Sequence, residues 1–186
     1  MSRSWFASSV VPFRLVFIMW LVFSLEFFYG FDFSFLGIRP RSLAGLMGIF
    51  TAPMVHGNYL HLLSNTVPLI FLGAALYFFY GRIAASVFAR CYFVTNILVW
   101  IFSPRVSYHI GASGLIYGLA SFLIIFGLLR MELSALLLSI SVAIVYGGIF
   151  YGVLPTDSRI SWESHLAGAI TGVVTAFQFR QKKRVD

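Results

Sequence analysis

Residues 59–80 read YLHLLSNTVPLIFLGAALYFFY, a run without a single charge that is closed by Gly81-Arg82. At 1.5 Å of rise per residue, an apolar helix of this length crosses the roughly 30 Å hydrocarbon core of a bilayer. The whole chain agrees with that reading. Of its 186 residues, 60% are hydrophobic and 10% charged, with 21 Phe and a mean hydropathy of +0.91. A soluble domain of this size has too little interior to hide that much apolar surface, so the expected solvent is a lipid bilayer.

Working outward from 59–80, five more apolar runs stand at about 12–30, 83–103, 112–129, 133–154 and 163–179. Pro104, Arg130, Pro155 and the basic RQKKR beginning at Arg180 close the last four. The fourth and sixth spans are short for lipid-facing helices, which suits positions shielded by neighbours. The first run has the look of a signal peptide, but Arg14 interrupts it and no A-x-A site follows, so a retained span is expected. Segment 31–58, FDFSFLGIRPRSLAGLMGIFTAPMVHGN, is apolar yet broken by Pro40, Pro53 and several Gly. It is expected to lie in the outer interface, partly embedded. The fold class is therefore an all-α polytopic membrane protein with six transmembrane helices, one domain over 1–186.

The formal net charge of +7 raises nucleic acid as a partner, but the basic residues form no broad stripe with interleaved aromatics. They read as a topology signal. With the N-terminus in the cytoplasm, Arg3, Arg14, Arg82, Arg90, Arg130, Arg180, Lys182, Lys183 and Arg184 fall inside, against Arg39, Arg41, Arg105 and Arg159 outside. Both termini are thus expected in the cytoplasm, with Arg14 and Arg90 snorkelling from span ends. Cys91 stands alone, so there is no intramolecular disulfide, and it reads as a small buried hydrophobe. No metal-ligand cluster and no cofactor are expected from its four His and one Cys.

Polar side chains at membrane depth are costly and mark interiors or water pockets. Three groups stand out. His61 and Asn65 in HLLSN share one helical face, and alone they read more readily as an interhelical hydrogen-bond pair. Ser113, in HIGASGLIYG at 109–118, is flanked by Gly111, Ala112 and Gly114, with Tyr117 one turn on; alone these small residues read as packing. His165, in SHLAGAITG, is followed on its face by Gly168 and Gly172, a G-x-x-x-G pair that permits tight helix contact. Alone, that histidine reads as interfacial. His56, just upstream of span 2, reads as interfacial too.

Topology joins them. Spans 2, 4 and 6 all start on the outside, so His61, Asn65, Ser113 and His165 reach similar depth, although none of them entered the charge argument. Together they supply acyl-transfer chemistry. Serine is a poor nucleophile until a base removes its proton, which His165 can do before protonating the leaving amine. Asn65, His61 and the Ser113 N–H can stabilise an oxyanion, with Gly111 and Gly114 leaving room for a peptide carbonyl. Glu163 lies elsewhere on the helix from His165, so a Ser–His dyad is expected, with Tyr117 packing on the base.

These residues resemble the rhomboid family of intramembrane serine proteases. The resemblance covers about 40–180 and rests on His61–Asn65 (H-x-x-x-N), Gly111–Gly114 (G-x-S-G), Tyr117 and His165–Gly172 (H-x-x-G-x-x-x-G). It implies a six-helix bundle with a water-filled cavity open to the outside. Ser113 is then the nucleophile and His165 the base, and His61 and Asn65 surround the oxyanion. His56 matches a further histidine often found before H-x-x-x-N. Substrates would be transmembrane proteins, cleaved near small residues in helix-destabilised segments and entering past spans 2 and 5. Two departures are evident. Ile38-Arg39-Pro40-Arg41 stands where many bacterial members carry Trp-Arg, and Tyr77 stands where many carry Glu between Gly73 and Gly81. The first outer loop is therefore expected to be anchored differently. The compact chain leads to the expectation of a bacterial inner membrane. A catalytically inactive relative that binds or escorts membrane clients is the alternative, and a small channel or transporter is a third reading without ion-coordinating carboxylates in any span.

Overall fold

The structure, a computed structural model, describes residues 4–155 and 161–180. Arg3, Arg159 and the basic tail after Arg180, which carried part of the charge argument, lie outside the described residues. Six long helices are present among the described residues: α1 (Trp5–Tyr29), α2 (Tyr59–Phe79), α3 (Gly81–Phe102), α4 (Ser113–Arg130), α5 (Leu133–Tyr146) and α6 (Trp162–Phe179). A 3-10 stretch, Gly147–Val153, continues α5. The first outer loop coils through 3-10 turns at Ser34–Leu36, Ala44–Leu46 and Ala52–Met54 and a one-turn helix at Gly48–Thr51.

Helices α1 to α4, and α5 taken through Val153, are long and apolar enough to cross a membrane. The chain is an integral membrane protein of the all-α class. Two differences from the expected spans have clear causes. Helix α1 starts at Trp5 rather than near 12, because Ser4 caps it by accepting from Ala7 N at 3.2 Å and Pro12 is accommodated inside it. Helix α6 has the length of a span, at 18 residues, but falls short in apolarity. Its polar residues Glu163, His165, Thr171 and Thr175 are turned inward, where protein rather than lipid receives them.

Close approach shapes the bundle. A Cβ on Gly73 would stand 2.6 Å from Pro12 Cβ, so α1 crosses α2 at that glycine. Trp20 Nε1 donates to Thr66 Oγ1 at 3.0 Å across the same pair. Asn58 caps α2, its side chain accepting from His61 N at 2.8 Å, which fixes the turn that carries His61. Helix α4 is the hub, packed against α2, α3, α5 and above all α6. Cys91 is fully buried beneath Gly118 of α4, in the apolar role expected of it.

The loop between α1 and α2 is held by backbone and side-chain hydrogen bonds, with no Trp-Arg pair at 38–41. Ile38 and His109 exchange both N–H···O bonds at 2.8 Å. Arg41 N donates to Trp100 O at 2.9 Å and its guanidinium to Ser103 O, while Trp100 Nε1 returns a bond to Ser42 O at 3.0 Å. Asn96 and Tyr92 of α3 donate to the carbonyls of Ile49 and Phe50. These bonds satisfy backbone groups that the irregular loop leaves without helical partners. Tyr77 packs in the core with its ring 6.2 Å from that of Phe88.

Candidate active site

The start of α4 and the start of α6 meet at one end of the bundle. Gly111 has φ +101°, a left-handed conformation that glycine adopts without strain, and its N–H donates to Ala52 O at 2.9 Å. A Cβ there would stand 2.6 Å from His61 Nε2, so only glycine lets the imidazole lie over this turn. Ser113 follows as the first residue of α4.

Glycine also sets the distance between α4 and α6. A Cβ on Gly168 would stand 2.0 Å from Gly114 O, and one on Gly172 would stand 2.2 Å from Gly118 O. The two backbones therefore touch, as the G-x-x-x-G face allows. Gly114, expected beside the oxyanion, is turned into this seam, where a Cβ would meet Thr95 Cγ2 at 2.9 Å and Ser164 O at 3.1 Å. The result is a contact between the two side chains that matter most: His165 Nε2 is 2.8 Å from Ser113 Oγ.

The other ring nitrogen decides the tautomer. His165 Nδ1 is 2.9 Å from Gly152 O. A carbonyl only accepts, so Nδ1 carries the proton and Nε2 is left to accept the Ser113 hydroxyl hydrogen. Tyr117 lies flat on the imidazole, with centroids 4.1 Å apart and planes 7° apart, and its hydroxyl donates to Ile149 O. The 3-10 stretch after α5 thus holds both rings by their polar ends. Sequence reading missed Gly152, although a Cβ there would meet the Tyr117 hydroxyl oxygen at 2.2 Å. Its only signal was an unexplained glycine in GGIFYGV, 147–153.

Around this pair, Asn65 is buried and donates to His61 O at 2.7 Å, leaving one amide hydrogen uncommitted and its Oδ1 without a partner among the described residues. His56 is buried rather than interfacial, with its ring edge-on to His61 at 4.9 Å. Burial, with His61 adding to it, pushes the His56 pKa down to about 3. Glu163 is engaged away from His165, in an ion pair with Arg105 at 2.8 Å. No group of three or more His, Cys, Asp or Glu placed to hold a metal occurs among the described residues.

A neutral imidazole accepting from a serine hydroxyl, with its far nitrogen tied to a carbonyl, is an arrangement able to activate an alcohol for attack on a carbonyl carbon. The Rhomboid domain profile matches residues 44–182. An uncharacterized Mycobacterium tuberculosis protein is 32% identical over 196 residues, covering 97% of this chain and 78% of its own. An uncharacterized Mycobacterium leprae protein is 37% identical over 164 residues, 80% of this chain and 62% of its own. The Bacillus subtilis protein named "Putative rhomboid protease YdcA" is 27% identical over 143 residues, 73% of this chain and 68% of its own.

Proposed function

The chain belongs to the rhomboid family, and on that premise we propose that it is an intramembrane serine endopeptidase that cleaves transmembrane segments of other membrane proteins. The observation that carries this reading is the 2.8 Å approach of His165 Nε2 to Ser113 Oγ, with Nδ1 tied to Gly152 O. In the proposed cycle His165 takes the Ser113 proton as Oγ attacks the peptide carbonyl. The oxyanion that forms is stabilised by the free amide hydrogen of Asn65, by His61 and by the N-terminal N–H groups of α4, which lack intrahelical acceptors. His165 then protonates the leaving amine, and water activated by the same base releases the acyl group.

No carboxylate is needed in this scheme. The Gly152 carbonyl performs the orienting task, holding the tautomer, while Tyr117 fixes the ring plane. The proposed setting is a bacterial inner membrane, with both termini cytoplasmic and the site open to the outer side. The starts of α4 and α6, which carry Ser113 and His165, lie at one end of the bundle.

The test is reconstitution in liposomes with a panel of single-span substrates. Wild type is expected to cleave at least one of them, and Ser113→Ala and His165→Ala to leave all intact. Cleavage that persists in Ser113→Ala would sink the assignment, and substrate binding by wild type without cleavage would favour a client-escorting relative instead.

A further inference from the structure

The loop ahead of α4 holds a fourth histidine that the proposed chemistry leaves unused. His109 is 4% exposed, and both its ring nitrogens are engaged. Nε2 is 2.9 Å from Ser103 Oγ, and Nδ1 is 2.6 Å from Ser161 Oγ, which lies 2.7 Å from Ser164 Oγ. A neutral imidazole offers one donor and one acceptor, and each hydroxyl can serve as its complement. The backbone of His109 is equally fixed by its two hydrogen bonds with Ile38.

Ser161 occupies the N-cap of α6, and its carbonyl takes the N–H groups of Ser164 and His165 at 3.0 and 3.3 Å. Its hydroxyl does not cap the helix, the usual task of serine there. It is diverted to His109. The spacing gives this diversion meaning. His109 precedes Ser113 by four residues, and Ser161 precedes His165 by four, so the two side-chain contacts share one sequence offset of 52. One contact repeats the other a short step up the seam.

The glycines of the seam set how near α4 and α6 come, and polar contacts at its end add to what fixes their axial register. A slide of one residue is about 1.5 Å, enough to break the Ser113–His165 hydrogen bond. The Arg105–Glu163 ion pair ties the same two segments, but through a long side chain that tolerates such a slide.

We propose that His109 is a positioning residue: its bond to Ser161 locks the axial register of α6 against α4 and so keeps His165 within reach of Ser113. The catalytic consequence rests on the protease reading above; the register lock itself is a statement about geometry.

Two measurements on the full chain test it. In liposome cleavage, His109→Ala and Ser161→Ala are expected to lower kcat by about 10- to 100-fold, the scale of an ångström misplacement, with KM changed less than about twofold. His109→Asn places an amide nitrogen near the Nδ1 position and is expected to restore most of the rate, whereas His109→Gln, which reaches toward Ser103 instead, is not. The second measurement needs no proteolysis. In Cys91→Ala/Ser113→Cys, the introduced thiol sits beside His165, and its alkylation rate against pH reports that neighbour. Adding His109→Ala or Ser161→Ala is expected to move the profile onto that of the same chain carrying His165→Ala. A profile left in place, in a chain that melts as a folded protein, overturns the register lock whatever the cleavage assay gives. A wild type that cleaves nothing overturns the protease reading, while the thiol profile still decides the lock.

Discussion

Helix α4 buries twelve of its eighteen residues, whereas α5 buries three of its fourteen and leaves Ile144 78% and Val145 69% exposed. The serine–histidine pair lies between these regions and takes something different from each. From the α4–α6 seam it takes distance, because glycine backbones in contact cannot separate or close without rebuilding the bundle. From the stretch after α5 it takes orientation, because the carbonyls of Ile149 and Gly152 hold Tyr117 and His165. Gly147 and Gly148, at the junction, have nothing within 4 Å of where a Cβ would be. The lesson is that a base can be placed by a rigid interface and aimed by a loosely packed one. Local opening is cheapest where few apolar contacts are made, so the aim is expected to be lost before the distance.

The comparison breaks first at the seam. Gly168→Val pushes a branched side chain into the Gly114 carbonyl. The expected cost is about 3 kcal/mol or more, read as a large fall in thermal midpoint in detergent together with loss of all Ser113 reactivity. A midpoint within a degree of wild type would mean that the seam is not close-packed.

Acid sharpens the contrast. His56 and His109 lie in the loops beside the seam, and burial holds them neutral, with pKa values of about 3 and about 4; Arg105 adds to the effect at His109. The unfolded chain binds protons at these histidines below about pH 6.5 and the folded chain does not, so stability rises with pH across that window and falls as pH drops from about 6.5 toward 4. Each histidine is expected to contribute a loss of about 1 kcal/mol by pH 5.5. Hydrogen exchange at pH 7 and pH 5.5 should show deprotection in 103–112 and at the start of α6, with α5 itself, which carries no histidine, unchanged. Deprotection confined to α5 would show that His56 and His109 do not carry the acid sensitivity.

Smaller effects probe the aiming device. Tyr117→Phe keeps the ring on His165 but removes the hydroxyl that reaches Ile149 O. About 1 kcal/mol is expected, several-fold in kcat, with KM nearly unchanged. Smallest of all, Leu137→Ala on the exposed face of α5 should alter stability in detergent by less than about 0.5 kcal/mol, whereas a comparable truncation of the fully buried Leu119 in α4 should cost about 2–5 kcal/mol. Equal costs would show that α5 packs as tightly as α4.

Much of the fold was legible because hydropathy and length report directly on the bilayer. Apolar runs and their punctuating Pro, Gly and Arg located α2, α3 and α4 within a few residues. The 3-10 ending of α5 was not legible, since it depends on what neighbours do with glycine positions. The contact between Ser113 and His165 could be foreseen because polar groups at membrane depth are few and must share an interior. His109 escaped notice because it sits in a loop, where histidine is unremarked, and Gly152 because it acts through its carbonyl, which every residue possesses. The anchoring of the first outer loop was hidden for the same reason: it rests largely on backbone groups of Ile38, Arg41, Ile49 and Phe50.

The central claim, that Ser113 is a nucleophile activated by His165, is tested most directly by a fluorophosphonate probe on the intact protein in bilayers, with the adduct located by mass spectrometry. The account predicts one adduct, on Ser113, formed by wild type and reduced to background in His165→Ala. An unlabelled Ser113 in folded wild type, or equal labelling rates with and without His165, would contradict it.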